Sequence, residues 1–391
     1  MQARRNKPII AKALKDGAKY RVALIGCGRA GLPRARAFDM HPLCQVVALA
    51  DTDAENLEMA GGLFDAPGYP SYNELFTNEP IDIAAAVLPV QPNAGAVVAA
   101  AEAGAKAIFC EKPLTASLVD ADRMVAACSA RGVPFATGVV VSSHAEYQQA
   151  YALAASGAIG EVRRINLYEA NGQGGCHGLN LARRFAGRAQ VDYVIGRVAS
   201  DPASDYEQPH EEGMAVVGAV GGYIRFANGI ECFSSWEEVG WRGIEVVGTE
   251  GMICNWNNTA LGLRLFKARS QRGGGLREVA GVFAAYAEEE RGYDAEGWRD
   301  PGPTMQGIAQ GLVDALEGER ELGATTGDDM RHALEIAIAL RESHRRGHAA
   351  VELPLGDRSL TMYPEKARWE YKKEVYGREW YMEQLAQVKR S

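Results

Sequence analysis

Three groups of residues have types and spacings that can do chemistry. Lys112 lies in Glu111-Lys112-Pro113, directly after an apolar run that ends at Cys110. An ammonium at the end of a buried strand can be desolvated, which lowers its pKa toward a range useful for proton transfer. His177 stands in GQGGCHGLN, residues 172–180. An imidazole titrates near neutrality and can take a hydroxyl proton as a hydride leaves the same carbon. The third group is Gly26-x-Gly28-x-x-Gly31, with Asp51 twenty residues further on. Here Gly26 permits a tight turn, Gly28 lets the backbone approach a pyrophosphate, and Gly31 lets helix and strand pack closely. The helix N-terminus offers N–H groups to the phosphates, with Arg29 and Ala30 inside the turn. Asp51 can accept both hydroxyls of an adenosine ribose. Thr52 follows it and no arginine is adjacent, so NAD is favoured over NADP.

The elements that must hold these groups are legible as alternation. Apolar strand-like runs at 20–26, 44–51, 81–89, 107–110 and 134–141 are separated by helical patterns starting near 32 and 53 and spanning 94–103 and 117–131. Continuous apolar strands between helices predict a parallel sheet covered on both faces. After residue 145 a short helix at 147–156 leads into more alternating strands at 162–169, 191–198, 213–226, 230–238 and 243–248. Asn228-Gly229 marks a hairpin among them. The expectation is therefore α/β: an N-terminal Rossmann doubly wound sheet over 20–141, then an α+β domain over 142–356 with a large, mostly antiparallel open sheet. Residues 1–19 form an extension and 357–391 a C-terminal arm. Residues 271–303 read as a loop, 307–317 and 328–346 as helices that pack back on the Rossmann domain, and 366–387 as a helix with exposed aromatics.

Composition narrows the function. The 391 residues carry 42 basic and 50 acidic side chains, a net charge of -8, and no basic stripe suited to nucleic acid. No run approaches the roughly 18 apolar residues of a membrane span, and residues 1–20 lack the apolar middle of a secretory signal. The seven cysteines form no CxxC pair, so reduced thiols in a cytoplasmic protein are expected. No cluster has metal-ligand spacing, and no metal is expected. Glycine is high, 44 residues or about 11% against a typical 7%.

Several stretches in order resemble the Gfo/Idh/MocA family of nicotinamide-dependent oxidoreductases. They are GCGRAG at 26–31, LPVQPN at 88–93, EKPL at 111–114, GGCHGLNLA at 174–182, GTEG at 248–251 and VELPL at 351–355. The resemblance covers about 20 to 356. It implies cofactor contacts from Gly26, Gly28, Arg29, Ala30, Gly31, Asp51, Leu88, Pro89, Asn93, Glu111 and Lys112. It makes Lys112 the catalytic lysine and His177 the catalytic histidine, with His144, Gln173 and Asn180 joining them around substrate. It also implies sugar or cyclitol substrates and a homodimer or homotetramer formed through the open sheet.

The chain departs from the family where charge matters. The D-x-G-x-H-x-x-D pattern reads here Gln173, His177 and Asn180, so both acids are neutral. Glu169 and Glu211 are the acids nearby that can substitute. Asn93 replaces a frequent family histidine, and VVVSSHAEY lacks a frequent Asn-Arg pair, leaving His144 in its place. His210 reads as solvated. Trp236, Trp241, Trp256 and Tyr223 read as sheet core or subunit interface, and the tail aromatics Trp369, Tyr371, Tyr376, Trp380 and Tyr381 as an oligomer arm rather than a ligand site.

Three functions follow. The first is an NAD-dependent oxidoreductase acting on a hydroxyl-bearing carbon of a sugar, glycoside or cyclitol. The second keeps NAD but oxidises only transiently, so that a 3-keto sugar loses its glycosidic substituent before re-reduction. The third is a non-enzymatic binder of NAD and sugar.

Overall fold

The computed structural model describes residues 13–168, 176–198, 220–235, 243–256, 262–269, 274–283, 297–319, 322–362 and 368–388. Gln173, Glu169, His210, Glu211, Trp236 and Trp241 lie outside them.

The first sheet is built by β1 (Tyr20–Ile25), β2 (Cys44–Ala50), β3 (Gly68–Tyr69), β4 (Ile83–Ala86), β5 (Ala107–Cys110) and β6 (Phe135–Thr137). All pairs are parallel, in the order β3-β2-β1-β4-β5-β6. Strands reading IAAA and AIFC are buried along their whole length, as a sheet covered on both faces requires. Helices α1 (Gly31–Asp39), α2 (Ala54–Phe64), α3 (Tyr72–Asn78), α4 (Val90–Glu102) and α5 (Leu118–Ser129) connect the strands. The strand expected over 134–141 ends at Thr137. Beyond it Val140–Ser143 turns as α6, and α7 (Ala145–Ala155) follows. The Ser142 and Ser143 hydroxyls both donate to the Val139 carbonyl, a local bond that competes with extension of the strand.

The second sheet runs β14-β13-β12-β11-β7-β10-β9-β8-β15. Its strands are β7 (Val162–Tyr168), β8 (Val191–Val198), β9 (Val220–Phe226), β10 (Glu231–Ser235), β11 (Gly243–Gly248), β12 (Gly251–Asn255), β13 (Arg264–Ala268), β14 (Leu276–Val279) and β15 (Val351–Glu352). Only β7 and β10 pair in parallel; the remaining ladders are antiparallel. Gly229 takes φ +87 in the expected hairpin between β9 and β10. GTEG closes the β11–β12 hairpin, with the Thr249 N–H bonded to Glu161 O. The loop expected over 271–303 contains β14, which pairs with β13.

On β8 buried and accessible residues alternate, so one face is covered and the other open. The covering helices are α7, α8 (Gly178–Phe185) and α10 (Gly327–Arg345). Gly196 is needed under α10, because a Cβ there would lie 2.1 Å from Leu340 O. The open face carries Tyr193, Tyr223 and Phe233 in a row, with ring centroids 5.9 and 5.3 Å apart. On the same sheet the Trp256 indole N–H donates to Glu245 at 2.9 Å. Helix α9 (Pro303–Glu317) returns to the first sheet, its Met305, Ile308 and Leu312 packing with Val22, Leu24 and Phe38. All seven cysteines are free and buried. No helix among the described residues is long and apolar enough to cross a membrane.

Helix α11 (Arg368–Ala386) keeps Tyr376 exposed, as expected, but its C-terminal end departs from an exposed arm. It lies on the first sheet of its own chain, with Tyr381 5% exposed and Leu385 and Val388 fully buried. Burial of such side chains is worth roughly 1.5–3 kcal/mol each.

Candidate active site

The carboxyl ends of β1, β4 and β5 converge, as strand order reverses beside β1. Gly26 adopts φ +94, and a Cβ there would lie 2.2 Å from Val87 O. A Cβ at Gly31 would lie 1.9 Å from Gly26 O. Both glycines are thus demanded by backbone contact. Gly28 differs: the atom nearest its absent Cβ is the Tyr381 hydroxyl, at 2.8 Å. Arg29 and Ala30 are half-buried between them.

Asp51 is engaged with the glycine turn. Its Oδ2 accepts from the Cys27 N–H at 2.7 Å and the Asn56 side chain at 3.2 Å, while Oδ1 accepts from the Asp53 N–H at 2.9 Å. A carboxylate offers about four acceptor positions, so capacity for a ribose hydroxyl remains. Asn56 was not anticipated from sequence. Its signal is a polar residue on the inner side of the helix that follows Asp51.

Leu88 Cδ2 lies 3.1 Å from the Gly26 Cβ position, and exposed Pro89 caps α4. Asn93, 1% exposed, donates to Pro113 O at 3.2 Å, and its own carbonyl oxygen has no partner among the described residues. Glu111 is buried against Arg34 of α1 at 2.7 Å. Lys112 follows it, half-buried, with a cis peptide to Pro113. The resemblance assigns Glu111 to the cofactor; its carboxylate here faces Arg34.

His177 is the N-cap of α8. Cys176 before it is buried in the same apolar cluster as Cys110 and Leu114, which flank Glu111-Lys112-Pro113. A buried polar knot makes a second tie. Asn180 is fully buried and donates to the Ser142 and Thr325 hydroxyls, both at 2.9 Å. Thr325 O in turn accepts the Thr137 N–H at 2.8 Å and the Thr137 hydroxyl at 3.0 Å. Thr137 is the register partner of Cys110. The helix opened by His177 is therefore fastened to the strand beside the one that ends at Lys112. The resemblance places Asn180 at substrate; its amide hydrogens are here both spent inside the knot.

His144 caps α7, with Nδ1 3.2 Å from the Thr304 hydroxyl. Glu146, two residues on, is a carboxyl that sequence reading passed over. Burial raises its pKa, opposed by the charge of His144 and a hydrogen bond from the Leu263 backbone. Among the described residues no group of His, Cys, Asp and Glu is arranged to hold a metal.

This geometry agrees with the comparisons to known proteins. Residues 20–139 match the family described as "Oxidoreductase family, NAD-binding Rossmann fold". This region holds the parallel first sheet and the glycine turn, and the match covers it without reaching the second sheet. D-apiose dehydrogenase of Paraburkholderia graminis is 35% identical over 117 residues, 30% of this chain and 31% of that protein. The 2,7-anhydro-N-acetylneuraminate hydratase of Mediterraneibacter gnavus is 29% identical over 140 residues, 36% of this chain and 37% of that protein. These matches span about a third of each relative. A solved levoglucosan dehydrogenase, in complex with NADH and levoglucosan, covers 86% of this chain and 100% of its own at TM-score 0.67 and 21% identity, so the likeness extends to the fold of both sheets.

Proposed function

We propose that the protein is an NAD-dependent oxidoreductase acting on a hydroxyl-bearing carbon of a sugar, glycoside or cyclitol. The observation that carries this reading is the tie between Asn180, Thr325 and Thr137, which fastens the His177 helix beside the Lys112 strand end. The glycine turn fits a dinucleotide, because Gly26 and Gly31 let the turn close against Val87 O and Gly26 O, and Gly28 keeps its outer face free of a Cβ. Gly28, Arg29, Ala30, Asp51, Leu88, Pro89 and Asn93 would hold the cofactor, with Asp51 favouring NAD over a 2′-phosphate. When bound, the nicotinamide supplies the hydride acceptor. Lys112 and His177 hold and move the hydroxyl proton, and Arg34 holds Glu111 so that the turn carrying Lys112 keeps its place.

Incubation of the protein and NAD with a panel of sugars, glycosides and inositols, followed by nicotinamide fluorescence, tests the reading. Net reduced cofactor with at least one compound is expected. A Lys112→Ala variant should lose about 10²–10⁴-fold in rate while still binding NADH. Full activity in that variant would remove Lys112 from the chemistry.

A second reading, transient oxidation followed by elimination and re-reduction, is favoured by the neutral Asn180 at the position of a family acid and by the similarity to a protein named as a hydratase. It predicts altered sugar without net reduced cofactor. In either case the row of Tyr193, Tyr223 and Phe233 on the open sheet face, with Phe233 46% exposed, supports assembly of two or four copies through that face.

A further inference from the structure

Tyr381 stands on the face of Gly28 that the fold keeps free of a side chain. Its hydroxyl is 2.8 Å from where a Gly28 Cβ would be, and Asn56 Nδ2, which donates to Asp51, is 3.9 Å from the same point. Gly28 is the glycine over which a pyrophosphate passes, and Asp51 is the ribose acceptor. One phenol thus sits across both determinants of the adenosine half of the cofactor.

The segment bearing it is fastened at two ends of different strength. Beyond Tyr381, Leu385 and Val388 are fully buried, and the Val388 carbonyl accepts the Arg299 N–H at 2.8 Å. Before it, Arg378 reaches Asp53 at 3.1 Å and Glu55 at 2.9 Å, with Arg378 54% and Glu55 58% exposed. Exposed pairs of this kind hold weakly. Next to Arg378, Gly377 breaks the helix at φ 79 and ψ -174, a conformation essentially confined to glycine. A buried anchor, a weak outer fastening and a joint between helix halves are the parts of a hinged strap.

We infer that residues 378–388 form a strap over the cofactor cradle, with Tyr381 as its latch, and that an entering dinucleotide must displace the latch. The inference rests on the assignment of the glycine turn to NAD. Its signature is in the rate of association, because the phenol and the pyrophosphate compete for one face of Gly28. Substrate turnover plays no part in the test.

The experiment is stopped-flow mixing of the full-length protein with NADH, read by nicotinamide fluorescence, for the wild type, Tyr381→Ala and Arg378→Ala. Tyr381→Ala should associate about tenfold faster, within the one to three decades over which such rates vary among variants of one site. Arg378→Ala removes an exposed guanidinium and leaves Asp53 its cap on α2, so it tests the strap even where loss of the buried phenol disturbs folding. It should also associate faster, and added salt should speed the wild type toward it. Association within twofold of wild type in a folded Tyr381→Ala protein and in Arg378→Ala, or slower association in either, overturns the strap while leaving the cofactor assignment intact. Failure of all three proteins to bind NADH at millimolar concentration overturns both.

Discussion

Arg34 Nε donates to Glu111 Oε2 at 2.7 Å, so the helix that opens at the glycine turn is tied to the residue before Lys112. The cofactor cradle and the proposed proton-handling lysine thereby share one buried ion pair. Arg34→Met should leave the Glu111 carboxylate buried without its cation, at a cost of about 3 kcal/mol. Arg34→Met with Glu111→Leu should recover much of that loss. Denaturant unfolding at neutral pH measures both, and equal stability of Arg34→Met and wild type would contradict the pairing.

Asp51 fastens the glycine turn, and the ribose contact proposed for it is open to substitution. Asp51→Ser removes the acceptor for the Cys27 N–H as well as the proposed ribose contact. NAD should bind more weakly, and the ratio of NADP to NAD affinity should rise tenfold or more, about 1.4 kcal/mol. Equilibrium titration with each dinucleotide decides it. A wild-type protein that already prefers NADP would refute the role given to Asp51.

Asn180 is held by hydroxyls that have few other partners. Asn180→Ala should cost about 2 kcal/mol, since it removes two buried hydrogen bonds and leaves the Ser142 and Thr325 hydroxyls bonded to each other. Asn180→Asp keeps the shape and adds a charge, so its destabilisation should grow as pH rises through the carboxylate range. Thermal unfolding of the two variants at pH 5 and pH 8 distinguishes a packing role from a charge effect; a pH-independent Asn180→Asp would speak against a dry knot.

Asp329 gives the stability a pH dependence of known sign. Burial pushes its carboxyl upward, but hydrogen bonds and charge from Arg188, the Thr326 N–H and the charge of Arg183 outweigh burial and hold it below the ordinary value of 3.8. A depressed folded pKa contributes stability above the unfolded value and loses it as pH falls through the folded one. Asp329→Asn should therefore be less stable than wild type at pH 7, with the gap closing below about pH 4. A gap that does not narrow at all between pH 7 and pH 2.5 would locate the effect in the capping geometry of α10 rather than in charge.

How much of this was legible in the sequence depends on how local the signal is. Strands such as 107–110 declare themselves by uninterrupted apolar residues, and the roles of Gly26 and Gly31 follow from spacing alone. Helix α3 carried a readable cap, Ser71 accepting from the Glu74 N–H, inside a stretch with little apolar periodicity. Strands β12 to β14 escaped because each is four or five residues long and owes its state to neighbours rather than to pattern. The contact of Tyr381 with Gly28 spans almost the whole chain, and no local rule encodes a partner at that separation. The same holds for the link from Asn180 to Thr325.

The seven buried thiols have a practical consequence. Burial pushes Cys44, Cys128, Cys232 and Cys254 up to about 12, and lifts Cys27 and Cys110 well above the ordinary thiol range. Since the thiolate is the species that reacts, these six should react slowly in the folded protein. Cys44 lies within the first sheet and Cys27 in the glycine turn that follows β1, while Cys232 and Cys254 lie within the second sheet. Alkylation followed by peptide mapping would thus time the breathing of each half of the molecule separately, with no label engineered into it.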